Sequence, residues 1–314
     1  MGGDHAPSET VAGAVDAARR GVDVVLVGPE SVIRSELDRL EVDLPVVHSP
    51  DVIGMGDDPA RALREKPNSS ISVCARMVAD GEAAGLVGAG STGAAMAAAS
   101  ILIGRISGVS RPAIATVFPT PDTPTLVLDS GANPEVTASQ LHQFAVMGSV
   151  AAEILLGVER PRVGLLSIGE EKGKGRDLER AAYDLLEQSD LNFIGNVEGR
   201  DVAADRADVV VTDGFTGNVF LKTTEGASKL VVQYAQEAVA KLPPDVRAQV
   251  LPALAEVRHR LDPETYGGAQ LLGVKGVVVI GHGSSSRVAV ANALSLAAEG
   301  AERGLPARIA ERLA

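Results

Sequence analysis

The sequence predicts an α/β protein built on a doubly wound, mainly parallel sheet, and three observations carry that expectation. Short runs of Val, Leu and Ile alternate with longer Ala-rich stretches of helical period through most of the 314 residues, the pattern of β-α units packed in layers. Aromatic residues are scarce, with no Trp, three Tyr and five Phe, so the core has to be packed from aliphatic side chains. The 34 glycines gather after several of the apolar runs, where tight turns and close backbone approaches occur.

In chain order, the apolar runs place strands at 22–27, 45–48, 84–87, 113–118, 125–128, 162–167, 192–196, 208–212 and 276–280. Helices are expected to open near Ser8, Ser31, Pro59, Ser70, Thr92, Ser139, Arg176, Asp201, Asn218 and Ser285, since most of these residue types cap or begin helices. Residues 83–104 carry no charge and are long enough to span a bilayer. Their composition is mostly Gly, Ala, Ser and Thr, with Gly85, Gly88, Gly90 and Gly93 in the first half, which reads as a buried strand, a glycine loop and a packed helix. Residues 289–314 read as a terminal helix. The whole of 1–314 is expected to form one α/β/α domain, with 227–265 as a helical projection broken at Pro243 and Pro244 and nicked at Pro252. There Val246, Val250, Leu254, Val257 and Leu261 recur at helical spacing beside Arg247, Arg258, His259 and Arg260. Such a face suits a dimer interface or local lid, or contact with a membrane surface or an acidic protein.

Charge and composition exclude several functions. Forty-one acidic against 29 basic residues give a net charge of -12, which repels a polyanion, so no nucleic acid is expected as partner. The single cysteine, Cys74, makes neither an internal disulfide nor a multi-cysteine metal site and suits a reducing cytoplasm. Its helical surroundings argue against an acyl-enzyme. Ser91 has Ala89 two residues before it, so the G-x-S-x-G nucleophile elbow is absent. Asp201, Asp205 and Asp208 read as a solvated acidic face; no metal and no cofactor is expected.

The chemistry is expected beyond the carboxyl ends of the strands. Gly88-Ala-Gly-Ser-Thr-Gly93 follows a strand and precedes a helix, so Gly90, Ser91, Thr92 and Gly93 are candidates for phosphate binding. A dinucleotide would also need an acid at the end of the next strand; that strand ends in Pro119-Thr120, with Asp122 the next acid. An NAD-dependent hydroxy-acid dehydrogenase of related fold, with the Asp201/Asp205 pair, is the alternative. Lys172 and Lys174, bracketed by Gly169 and Gly175, suit a phosphate clamp. Asp213, Thr216 and Asn218 offer polar groups at a helix entrance, and His282 with Ser284 and Ser285 stands at another. Asn133, Asn196 and Glu198 lie in two further turns. All these turns are expected to converge on one pocket.

Met1-Gly-Gly-Asp-His-Ala-Pro7, Gly88 to Gly93, Gly169 to Gly175, Phe193-Ile-Gly-Asn-Val-Glu198, Val211-Thr-Asp-Gly-Phe-Thr-Gly-Asn218 and His282-Gly-Ser-Ser285 resemble the bacterial phosphate acyltransferases of phospholipid synthesis, in order and over almost the whole chain. The resemblance implies transfer of a fatty acyl group from acyl carrier protein to inorganic phosphate, giving acyl phosphate for a membrane glycerol-phosphate acyltransferase. It also implies an isocitrate and isopropylmalate dehydrogenase-like fold and a homodimer. Family members begin with a short apolar strand before Met-Gly-Gly-Asp, so the native start is expected upstream of Met1.

Phosphate is already a nucleophile, so a direct in-line attack is expected. The phosphate would be bound by Lys172 or Lys174, the Gly88 to Gly93 turn and the Ser284 region. Asn218, Thr216 or Asn133 would meet the oxyanion, and His5 or His282, with Asp4 or Asp213, would tune protons. The acidic carrier would dock on Arg247, Arg258 and Arg260, beside Arg61, Arg64 and Lys66. The same helices could rest on anionic lipid, giving a cytoplasmic protein with peripheral membrane contact.

Overall fold

The computed structural model describes residues 1–314 apart from the side chain of Pro263. Its helices are α1 (Ser8–Arg19), α2 (Glu30–Arg39), α3 (Pro59–Glu65), α4 (Ser70–Ala79), α5 (Thr92–Ala98), α6 (Ala138–Ala151), α7 (Asp177–Glu187), α8 (Gly214–Ala240), α9 (Pro244–Leu261), α10 (Arg287–Glu302) and α11 (Leu305–Leu313). The strands are β1 (Leu26–Gly28), β2 (Val46–His48), β3 (Gly85–Gly88), β4 (Ala113–Phe118), β5 (Thr125–Leu128), β6 (Arg162–Leu166), β7 (Asn192–Val197), β8 (Val209–Val211), β9 (Ala269–Leu272) and β10 (Val277–Ile280). Side-chain oxygens fix several helix starts. Asp58 accepts from the Arg61 amide, Thr137 and Gln140 form a capping box, and Asp213 and Ser286 cap α8 and α10.

β1 and β2 pair in parallel as a separate small sheet, and the other eight strands lie in the order β3-β10-β9-β4-β5-β8-β6-β7. The pairs at both ends are parallel, whereas β9 runs against β10 and β4, and β4 runs against β5. Strand direction therefore reverses within the sheet: β3, β10 and β4 point one way, and β9, β5, β8, β6 and β7 the other.

One face of the β5-β8-β6 half packs Leu126, Leu128, Val163, Leu165, Val209 and Val211 against Leu141, Phe144 and Met147 of α6, Leu186 of α7 and Ile309 of α11. Leu86, Ile114, Leu271, Val278 and Ile280 meet Ala94, Ala95 and Ala98 of α5. α10 covers Val277 and Val279, and α1 lies against α10. Alanine-rich helices approach closely, so a core with few rings still fills.

The structure corrects several expected elements. β9 was not expected: Gly267, Gly268, Gln270 and Gly273 interrupt its short apolar run. The strand at 22–27 shrinks to Leu26–Gly28, because the Val22 amide still bonds Ala17 O at the end of α1. The helix near Asp201 is one 3-10 turn, Asp201–Ala203. α8 opens at Gly214, four residues before Asn218, because Asp213 caps it. The terminal helix is two helices separated at Gly304, whose φ of +66 suits glycine. Pro252 lies inside α9 without ending it.

α9 has no buried residue and packs along α8, where Val231 and Tyr234 are 62% and 61% exposed. Among the described residues, no helix is long and apolar enough to cross a membrane.

Candidate active site

The reversal within the sheet divides the polar turns into two groups of strand ends, each forming a rim of the sheet. The ends of β3 and β10 form the first rim. The Gly281 amide donates to Gly88 O at 2.9 Å, and the Asp4 amide donates to Gly283 O at 2.7 Å. Gly2 and Gly3 lie directly on the glycine loop: a Cβ on Gly3 would sit 2.9 Å from Ala89 O, and one on Gly2 would sit 3.3 Å from Gly90 Cα. Residues 1–4 thus cover the stretch where a pyrophosphate would have to rest, and the dinucleotide alternative loses its site. The same cover falls on Gly90, while Ser91 caps α5 and a Cβ on Gly93 would sit 2.7 Å from Pro59 Cγ; Thr92 is exposed. Cys74 lines a cavity of about 60 Å³ with Met1, Ser70 and Ser91, and burial pushes its thiol pKa up, so it is no thiolate nucleophile.

At the end of β10, His282 is exposed, Ser284 is exposed and Ser285 is buried. His5 is exposed, and its carbonyl accepts from the Ser8 hydroxyl. The Asp4 carboxylate lies beside Gly283.

The ends of β5, β8, β6 and β7 form the second rim. Asp129 is fully buried, and its Oδ1 accepts from the amides of Ile114, Gly131 and Ala132 at 2.9 to 3.1 Å. Its Oδ2 accepts from the amide and side chain of Asn133 at 2.7 and 2.8 Å. Asn133 also donates to Pro112 O, so its side-chain donors are engaged within the turn and none is left for an oxyanion.

Asp213 accepts from the Thr216 amide and hydroxyl at 2.8 and 2.9 Å and from Arg176, whose guanidinium also grips Glu179. Burial pulls the Asp213 carboxyl up, but the Thr216 amide and Arg176 outweigh it and hold the pKa below the usual range. Thr216 therefore also has its hydroxyl hydrogen engaged. Asn196 donates to Glu171 O at 2.9 Å while its Oδ1 is buried without a partner, and Glu198 pairs with Arg200.

Lys172 is turned away from this rim. Its ammonium pairs with Asp184 at 3.1 Å and with Glu187, above the Tyr183 ring, because α7 offers it two carboxylates and an aromatic face. Lys174 is exposed, with no carboxylate within 4 Å among the described residues. Arg176 was missed in the sequence. The signal was its place directly after Gly175, at the helix entrance beside the two lysines.

α8 joins the rims. Asn218, Lys222 and Glu225 stand at i, i+4 and i+7, on one face of the helix. Asn218 lies against the second rim, where a Cβ on Gly131 would be 3.5 Å away. Its exposed amide has no hydrogen-bond partner among the described residues. One and two turns on, Lys222 and Glu225 meet His282 of the first rim. Neither was a sequence candidate, since charges inside a helix ordinarily mark a solvated face. On α9, Arg260 pairs with Glu256, while Arg247 and Arg258 have no carboxylate within 4 Å among the described residues.

A family model described as "Fatty acid synthesis protein" matches residues 1–308. A phosphate acyltransferase of Desulforamulus reducens is 46% identical over 317 residues, covering 100% of this chain and 95% of that one. One from Thermus thermophilus is 48% identical over 319 residues, covering 100% and 96%. Among solved structures, a phosphotransacetylase from Streptococcus pyogenes aligns with a TM-score of 0.60 at 18% identity, covering 93% of this chain and 91% of that chain. The EutD phosphotransacetylase from Staphylococcus aureus aligns at 0.56 and 16%, covering 93% and 99%; these two speak for the fold alone.

Proposed function

The chain belongs to the fatty acid synthesis protein family, and from its full-length similarity to phosphate acyltransferases we infer that it transfers a fatty acyl group to inorganic phosphate for phospholipid synthesis. The observation that carries a direct transfer is the lack of an activated protein nucleophile. Among the described residues no serine hydroxyl hydrogen-bonds to a histidine ring, the Thr265 hydroxyl beside the His259 ring donates instead to His259 O at 2.7 Å, and the one cysteine is a half-buried thiol whose pKa is raised by burial.

Phosphate itself then attacks. A phosphate oxygen bonds to the thioester carbonyl carbon, the carbon–sulfur bond breaks, and the proton carried in on hydrogen phosphate leaves on the sulfur as thiol. Asn218, with its unengaged amide, donates to the tetrahedral oxyanion, and Lys174 offsets charge. Protein, acyl carrier thioester and phosphate should yield an acyl phosphate that hydroxylamine traps, with no burst of free carrier before phosphate is added. Cys74→Ser should retain activity within a few-fold. A phosphate-independent burst would establish an acyl-enzyme and end the direct mechanism.

The donor in this reading is acyl carrier protein, an acidic partner for a chain of net charge -12. Residues 227–265 hold five basic and five acidic side chains, so this segment is locally neutral and its unpaired Arg247 and Arg258 are available to the carrier. The exposed apolar side chains beside them suit peripheral contact with anionic lipid, near a membrane glycerol-phosphate acyltransferase. Reversing the charge of Arg247, Arg258 and Arg260 together should raise the KM for the carrier about tenfold and leave the KM for phosphate unchanged. An unchanged carrier KM removes the assignment. A homodimer belongs to the same reading, and a solution mass of one chain would remove it.

A further inference from the structure

At the first rim, the Lys222 ammonium donates to Glu225 Oε2 at 2.9 Å and lies 3.4 Å from His282 Nε2. An ammonium has three donors and no acceptor, so the imidazole turns a lone pair toward it and carries its proton on Nδ1. Partial desolvation of the half-exposed ring, followed by the Lys222 charge, lowers the His282 pKa, in keeping with a neutral ring. The third N–H of Lys222 has no partner among the described residues. Glu225 is mostly buried, with a side chain 15% exposed, and its Oε1 is shielded from solvent without a hydrogen-bond partner, 3.9 Å from His282 Nε2. A buried acceptor left unpaired costs about 1–3 kcal/mol, so such an atom marks a missing donor.

The cluster thus holds one free charged donor next to one orphaned acceptor, a turn along α8 from the free amide of Asn218. A ligand that completes it must offer a negatively charged oxygen and a hydroxyl hydrogen together. Hydrogen phosphate does so. Sulfate, of similar size and charge, has no hydrogen to give.

We propose that Lys222 and Glu225 are phosphate-binding residues, Lys222 donating to a bare oxygen and Glu225 accepting from the P–OH, so that the site selects a protonated oxyanion. The inference rests on the acyl-transfer reading and goes further by naming where the phosphate sits and why sulfate is refused. It involves no covalent step beyond that transfer.

The test is competition. In the hydroxylamine assay, arsenate, which keeps a hydroxyl at neutral pH, should compete nearly as well as phosphate, while sulfate competes at least ~100-fold more weakly, the discrimination expected where a buried acceptor would be left unpaired. Glu225→Gln places an amide donor where Oε1 stands and should narrow the gap between phosphate and sulfate tenfold or more. Lys222→Met should raise the KM for phosphate by ~10- to 100-fold, the loss of one charged hydrogen bond, with the carrier KM unchanged and partial recovery in Lys222→Arg. Sulfate that competes with the unaltered protein as well as phosphate does would overturn the proposal without any variant. So would an unchanged phosphate-to-sulfate ratio in a folded Glu225→Gln. A protein that forms no acyl hydroxamate at all would instead remove the acyl-transfer reading.

Discussion

Gly217→Ala should cost roughly 3 kcal/mol or more of stability and abolish acyl phosphate formation. A Cβ at this position would lie 1.9 Å from Asp129 O and 2.9 Å from Asp129 C. No rotamer relieves a clash with backbone. Nor can the strand end withdraw easily, since the Asp129 amide bonds Thr212 O at 3.0 Å and the Thr212 amide bonds Leu128 O at 2.6 Å. α8 would have to lift off the second rim, taking Asn218 with it. Gly226→Ala on the same helix is the control. Nothing lies within 4 Å of a Cβ there, so it should stabilise by ~0.5–1 kcal/mol through helix propensity. Chemical denaturation of the two variants measures the contrast; equal stabilities would mean that α8 does not seat on Asp129 as described.

Asp129→Ala should destabilise by about 4 kcal/mol, because one buried carboxylate gathers five N–H donors from four residues and its loss strands them together. Gly131, the neighbour of Asn218, is among them, so what activity survives should fall as well. Asp129→Asn keeps the shape but presents a donor to other donors, and should recover less than half of the loss. Burial already pushes the Asp129 carboxyl up against those five donors. Its folded pKa therefore lies above the unfolded value near ~3.9, and its contribution to stability falls as pH rises through that window. A urea midpoint for Asp129→Ala within experimental error of the parent would show that the turn is held by something else.

Residues bounded by proline were the most legible in the sequence. β4 and β5 fall where the apolar runs put them, flanked by Pro112, Pro119 and Pro124, since proline removes the donor that would extend a strand. The strand-end turns were legible too, but not their division between two rims. Direction depends on pairing across the sheet: the two halves reverse at the antiparallel pair β4–β5, whose apolar runs show two strands but not how they pair, and β9, antiparallel to both its neighbours, is concealed between its glycines. Donor availability was equally out of reach: Asn133 and Thr216 looked as free as Asn218 until the carboxylates of Asp129 and Asp213 were seen to engage them. Lys222 and Glu225 gave no local signal at all, because a charge within a long helix acquires meaning only from the imidazole that the fold brings to it.

The helix that joins the rims works as a caliper. Asn218 and Glu225 are seven residues apart, about 10 Å along the axis, a length set by peptide geometry and not by the turns at either end. Warming that loosens those turns leaves the gauge unchanged, whereas one inserted residue between the two would rotate everything beyond it by about 100° and point the far jaw away from the imidazole.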